Sequence, residues 1–220
     1  MHPISPPRKA RRIAAAAVLA LGFAGSVCAA QGRPKTGPGA AKDRARADSA
    51  RLPYTKADID FMAGMIHHHA QAIVMSRWAP THGASLATQR LCERIINAQS
   101  DEISMMQHWL EDRNQPVPEP NAKGMPMDMG GMQHIKPMPG MLTDAQMAEL
   151  DAARGVEFDR LFLTFMIQHH KGAVTMVKDL FSHRGAGQDE TVFKFASDVE
   201  TDQTTEINRM ATMLLQLGAP

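Results

Sequence analysis

Cysteine is nearly missing from this chain: two occur in 220 residues, Cys28 and Cys92. Cys28 lies in a leader-like segment, so the mature chain would keep Cys92 alone. No intramolecular disulfide could then form, and stability must come from packing. A lone thiol of this kind reads first as a small buried hydrophobe rather than a ligand or nucleophile. Aromatic residues make up only 5%, which removes the stacking platforms that hold single-stranded nucleic acid. The formal net charge is +1, with Lys and Arg scattered, so the basic patch needed for duplex binding is missing as well. Nucleic acid is excluded as a partner. The longest apolar run, Ile13 to Gly25, is too short to span a bilayer. Strand-like alternation is absent throughout. No nucleophile and base pairing suggests hydrolysis.

Residues 1–30 are expected to be a secretory signal, with basic Arg8, Lys9, Arg11 and Arg12, the apolar run, and small residues around a cut after Ala29 or Ala30. The mature protein is therefore expected in the periplasm or secreted, without a membrane span. Gly25-Ser26-Val27 before Cys28 fits a lipoprotein box poorly, so release is favoured over a lipid anchor. Arg11-Arg12 makes only a weak twin-arginine signal, and the export route stays open. Residues 31–52 carry Gly, Pro, Ala and charge without apolar periodicity and read as a disordered tether. Residues 53–220 are expected to form one domain.

What the chain has in quantity is methionine, 17 residues, together with ten histidines. They fall in a pattern that occurs twice, D-x-x-F-x-x-x-M-I-x-H-H-x-x-A-x-x-M. The first copy is Asp58, Phe61, Met65, Ile66, His68, His69, Ala72 and Met75; the second is Asp159, Phe162, Met166, Ile167, His169, His170, Ala173 and Met176. A second repeat, Q-x-x-E-I-x-x-M, reads Gln99, Glu102, Ile103 and Met106, then Gln203, Glu206, Ile207 and Met210. The chain is an internal duplication.

Helix signals begin at Thr55, which forms a capping-box pattern with Asp58. The first helix should end near Pro80 to Gly83, and the second should run from about Ser85 to Asn114 with an apolar stripe through Leu91, Ile95, Ile103, Met106 and Leu110. Residues 116–141, rich in Pro, Gly and Met, are expected to be a loop. A short helix should start at Thr143, capped with Gln146, and Gly155 should break it. Two long helices follow, from about Val156 to Ser182 and from Asp189 to Leu217. Neither hairpin can bury its stripe alone, so the expected fold is all-α, an antiparallel four-helix bundle of two duplicated hairpins. Hairpins swapped across a homodimer would bury the same stripes.

At about 100° per residue, the motif residues occupy roughly one third of the helix circumference, with His67 on the far side and expected in solvent. A methionine at helical spacing is more often core filler than ligand. Two inward histidines in each of two copies are harder to dismiss, because burying imidazoles is costly unless each finds a partner. Glu102 and Glu206 could be those partners without metal, or could orient the rings toward one. Imidazole with thioether suits Cu(I), imidazole alone can hold Cu(II), and zinc sites ordinarily use thiolate, imidazole and carboxylate. Glu-x-x-His, needed for di-iron bundles, occurs nowhere. The stretch Met125, Met127, Met129 and Met132 adds clustered thioethers, with His134 as a further donor; it reads equally well as a ligand cluster or as an apolar lid.

These motifs, with Met138-Pro-Gly-Met141-Leu-Thr and Gly155-x-x-Phe158-Asp159, resemble the bacterial family known as domain of unknown function 305. The resemblance covers about Thr55 to Leu217. It implies a ferritin-like helical bundle and, from exported copper-binding relatives linked to copper tolerance, a metal role for Met65, His68, His69, Met75, Met166, His169, His170 and Met176. Glu102, Glu206, Met106, Met210 and the four methionines of the loop complete the candidate set. The expectation is an exported copper-binding protein, Cu(I) favoured over Cu(II) or Ag(I), exchanging copper with a donor or acceptor protein. A redox enzyme of cuprous oxidase type and a metal-free envelope interaction protein are the alternatives.

Overall fold

The structure is a computed structural model that describes residues 53–129, 132–136 and 138–218. The expected signal segment, Cys28 and the tether 31–52 lie outside the described residues. The elements are α1 (Lys56–Arg77), α2 (Leu86–Glu111), β1 (Met125–Met129), β2 (Met132–Lys136), α3 (Asp144–Ala152), α4 (Gly155–Ser182) and α5 (Glu190–Gly218). The four long helices form the expected bundle: α1 packs on α2, α4 packs on α5, and α1 and α4 join the hairpins.

Local chemistry sets the helix starts. Thr55 and Asp58 form the capping box on α1, and Thr143 and Gln146 form the one on α3, each satisfying backbone N–H groups that have no partner within the helix. The repeated aspartate also ties the hairpins together. Asp58 accepts from the Gly187 backbone N–H at 2.7 Å, in the turn between α4 and α5. Asp159 accepts from the Ser85 N–H at 3.2 Å, in the turn between α1 and α2. Each hairpin thus caps the turn of the other, and the first letter of the repeat is architectural.

The core is split into two apolar clusters. One holds Phe61, Met62, Met65 and Ile66 with Met106, Leu110, Val177 and Phe195. The other, toward the opposite ends of the same helices, holds Ala72, Met75, Leu91 and Ile95 with Phe158, Phe162, Met166 and Met210. Cys92 is buried in the second cluster, and burial pushes its thiol up to about 12, so it packs as a hydrophobe.

Two expectations change. Within the methionine-rich stretch the backbone forms an antiparallel β-hairpin, with Met127 opposite His134 and Met129 opposite Met132. Alternation was too weak to flag these short strands, since Pro, Gly and Asp interrupt the stretch. His67, expected in solvent, is buried. The connector between the hairpins crosses α1 there, and the Asn121 side-chain amide donates to His67 Nδ1 at 2.9 Å.

Candidate metal centre

Between the two apolar clusters lies a polar layer. His68, His69, His169 and His170 are all fully buried, and Gln99 and Gln203 are buried beside them. The duplicated spacing puts one histidine pair on α1 and the other on α4, where the two helices meet. The His68 and His169 rings approach to 3.8 Å between centroids, tilted by 42°. The outer rings are held by carboxylates from the paired helices: His69 Nε2 lies 2.7 Å from Glu102 Oε2, and His170 Nε2 lies 2.8 Å from Glu206 Oε2.

A carboxylate opposite Nε2 holds the proton there and leaves Nδ1 with its lone pair. His69 Nδ1 and His170 Nδ1 have no hydrogen-bond partner. His68 donates from Nε2 to the Pro139 carbonyl at 3.0 Å, and its Nδ1 is likewise unpartnered. Neither nitrogen of His169 has a hydrogen bond of normal geometry. A buried polar atom left unsatisfied costs about 1–3 kcal/mol, so this layer is expensive unless something else occupies the lone pairs. Burial, followed by the repulsion that a second ring charge at His69 would bring, pushes His68 down to about 3; burial, followed by the same repulsion between His169 and His68, pushes His169 well below its ordinary value. Both rings are neutral at pH 7, the form in which imidazole binds a metal.

A groove of about 520 Å³ separates α2 from α5 and is lined by Arg94, Gln99, Glu102, Gln203, Glu206 and Arg209, among others. Glu102 and Glu206 are a quarter exposed, at 26% and 24%, so each carboxylate meets the groove on one side and a buried ring on the other. Arg94 lies 3.6 Å from Glu206. Gln99 and Gln203 were not among the candidate ligands. The repeated Q-x-x-E was their signal, since it sets Gln one turn before the ring-binding Glu.

The methionine candidates divide. Met65, Met75, Met106, Met166 and Met210 are fully buried members of the apolar clusters. Met176 is half-buried and lies with Met125 beside Gly64, in a different groove. Met127, Met129, Met132 and His134 are placed by backbone register alone, their side chains lying outside the described set. Among the described residues, no three His, Cys, Asp or Glu groups form a ready-made ligand cluster. The layer is a set of free nitrogens rather than a closed cage.

A family model described as "Domain of unknown function (DUF305)" matches residues 58–214. The chain belongs to this family. Similar solved structures include a DUF305 protein of Streptomyces coelicolor, 27% identical, covering 74% of this chain and 94% of that one with a TM-score of 0.62. The protein CopM in its Cu(II)-bound form is 27% identical over 72% of this chain and 96% of that one, with a TM-score of 0.56. CopM in its Cu(I)-bound form is 25% identical over 74% and 98%, with a TM-score of 0.55. No curated protein matches the chain significantly. Among the described residues, no helix of this DUF305 chain is long and apolar enough to cross a membrane.

Proposed function

We propose that this DUF305 protein binds copper as cargo at its mid-bundle histidine layer, preferentially as Cu(I), and buffers or relays it in the periplasm or cell envelope. The observation that carries the reading is the pair of carboxylate-held histidines, Glu102 with His69 and Glu206 with His170, each leaving a buried Nδ1 without a partner. That is how proteins orient imidazole toward a metal. Donors of imidazole and thioether type favour copper, and the neighbouring CopM structures hold Cu(I), Cu(II) and Ag. The signal-like leader supports export.

The groove between α2 and α5, which reaches Glu102 and Glu206, supplies a path for exchange. Such a site suits capture and hand-over to a donor or acceptor protein. Replacing His68, His69, His169 and His170 together with Ala is expected to abolish tight Cu(I) binding, read by competition with a chromogenic chelator, while far-ultraviolet circular dichroism stays helical. Unchanged affinity in a folded variant rejects these ligands.

One observation favours a metal-free reading: no ready-made cluster of three ligands is present among the described residues. In that case His69 and His170 serve only as hydrogen-bond partners of Glu102 and Glu206. Copper, silver and zinc would then all fail to raise the thermal unfolding temperature, whereas a binding protein is stabilised by its ligand.

A further inference from the structure

We propose a second site for a soft monovalent cation, formed by Met125, Met138 and Met176 around Gly64. It rests on the copper reading above. A Cβ built on Gly64 would meet Met138 Sδ at 3.3 Å, Met176 Cε at 3.5 Å and Met125 Cε at 3.6 Å. Three methionine ends from three different elements therefore meet beside Gly64: Met176 from α4, Met125 from β1, and Met138 from the connector beyond the hairpin. They border a groove of about 840 Å³ that runs between α1 and α4. Met138 is buried, whereas Met125 and Met176 are half-buried.

The glycine is the telling residue. In a helix interior, Gly costs about 1 kcal/mol relative to Ala, so it calls for a reason. Close backbone packing is the reason at Gly172, where an added Cβ would meet the Pro139 carbonyl oxygen at 2.0 Å. At Gly64 no backbone atom is among the nearest neighbours, and all three are the flexible ends of methionines. In the duplicated sequence the equivalent residue is Phe165, which fills its position in the core. Gly64 instead lets three methionine ends close in on the α1 backbone beside the groove.

The donor set decides the ligand class. Thioethers bind Cu(I) and Ag(I) and ignore hard divalent ions, and rotation about the Cα–Cβ and Cβ–Cγ bonds of these unbranched side chains turns sulfur toward the groove. The rim carboxylates are engaged elsewhere, Asp60 with Lys56 at 2.6 Å and Asp179 with His183 at 3.6 Å. The segment that supplies Met138 continues into Pro139, whose carbonyl accepts from His68. The thioether site therefore sits one residue from the histidine layer and serves as a loading port for it.

The test is an Ag(I) titration of the full chain labelled with 13C in the methionine methyl groups, with Zn(II) as control. Ag(I) should shift the Met125, Met138 and Met176 resonances together, and Zn(II) should leave them in place. The volume-conserving variant M125L/M138L/M176L should lose about one equivalent of Cu(I) relative to the unsubstituted chain. G64A, which presses a methyl against Met138 Sδ without removing a sulfur, should weaken that equivalent about tenfold while the histidine layer keeps its own. Unmoved methyl resonances, or full stoichiometry in the triple variant, overturn the thioether site. If those results come with Cu(I) still held by the histidine layer, only this inference falls; if no Cu(I) binds anywhere, the functional reading falls with it.

Discussion

In the first hairpin His68 gives its Nε2 proton to the Pro139 carbonyl at 3.0 Å, while in the second the equivalent His169 has no hydrogen bond of normal geometry at either nitrogen. The same contrast recurs around them. Gln71 of the first copy holds the connector with three hydrogen bonds, to the Ala122 and Leu142 carbonyls and from the Leu142 N–H. Its counterpart is Gly172, against which Pro139 and Gly140 are pressed. His67 bonds to Asn121, whereas Gln168 donates to the Gly140 carbonyl at 3.3 Å. Duplication supplied two equal halves of a polar layer; one asymmetric connector laid across both then made them unequal. The outer pairs escaped this, because Glu102–His69 and Glu206–His170 lie toward α2 and α5, at 2.7 and 2.8 Å.

The largest effect should come from removing the close approach on one side. Gly172→Ala would put a Cβ 2.0 Å from the Pro139 carbonyl oxygen and 2.5 Å from Gly140 Cα, and urea denaturation is expected to show a loss of about 3 kcal/mol or more. A neutral result would mean that the connector can lift off without cost and that the asymmetry is superficial.

The outer pairs offer the opposite test. Glu102→Gln and Glu206→Gln should each weaken Cu(I) binding by about 10- to 100-fold, the range for losing a carboxylate that orients a ligating imidazole. The two losses should be equal within a factor of about three, as symmetry at this layer requires. A large loss from one and none from the other would show that only one hairpin carries the ion.

A smaller effect, counted per pH unit, concerns the metal-free protein in acid. His68 and His169 have lower pKa values in the fold than in the unfolded chain, where about 6.5 is ordinary. Below that value the unfolded state takes up protons that the fold refuses, so stability is complete above about pH 6.5 and falls as pH drops below it, by up to about 1.4 kcal/mol per pH unit for each histidine. Unfolding measured between pH 7 and pH 4 checks this. His169→Leu should flatten the slope by about one proton; an unchanged slope would mean that His169 is solvated.

Most of the fold was legible in the sequence because its signals are local. Thr55 with Asp58 and Thr143 with Gln146 announce helix starts within a few residues, and both capping boxes form. The repeat placed His68, His69, His169 and His170 on inward stripes. The short strands escaped notice because Pro and Gly break the alternation. His67 was misjudged for a different reason: helical periodicity says which face a residue occupies but not what lies over that face. Asp58 and Asp159 look like ordinary acids near helix starts, yet each reaches the turn of the other hairpin. Of the methionines, spacing alone could not separate Met65 or Met166, packed in apolar clusters, from Met176, which lines a groove.

By itself the sequence determined two matched helical hairpins, their starting points, and the presence of imidazole and carboxylate residue types at one level of each. Those properties follow from periodicity and capping, which act over a handful of residues. Only the tertiary structure decided which ring nitrogens keep free lone pairs, which methionines meet at Gly64, and how differently the connector grips the two halves. Such outcomes depend on groups separated by many positions along the chain, as with His68 and Pro139, and packing alone brings them together.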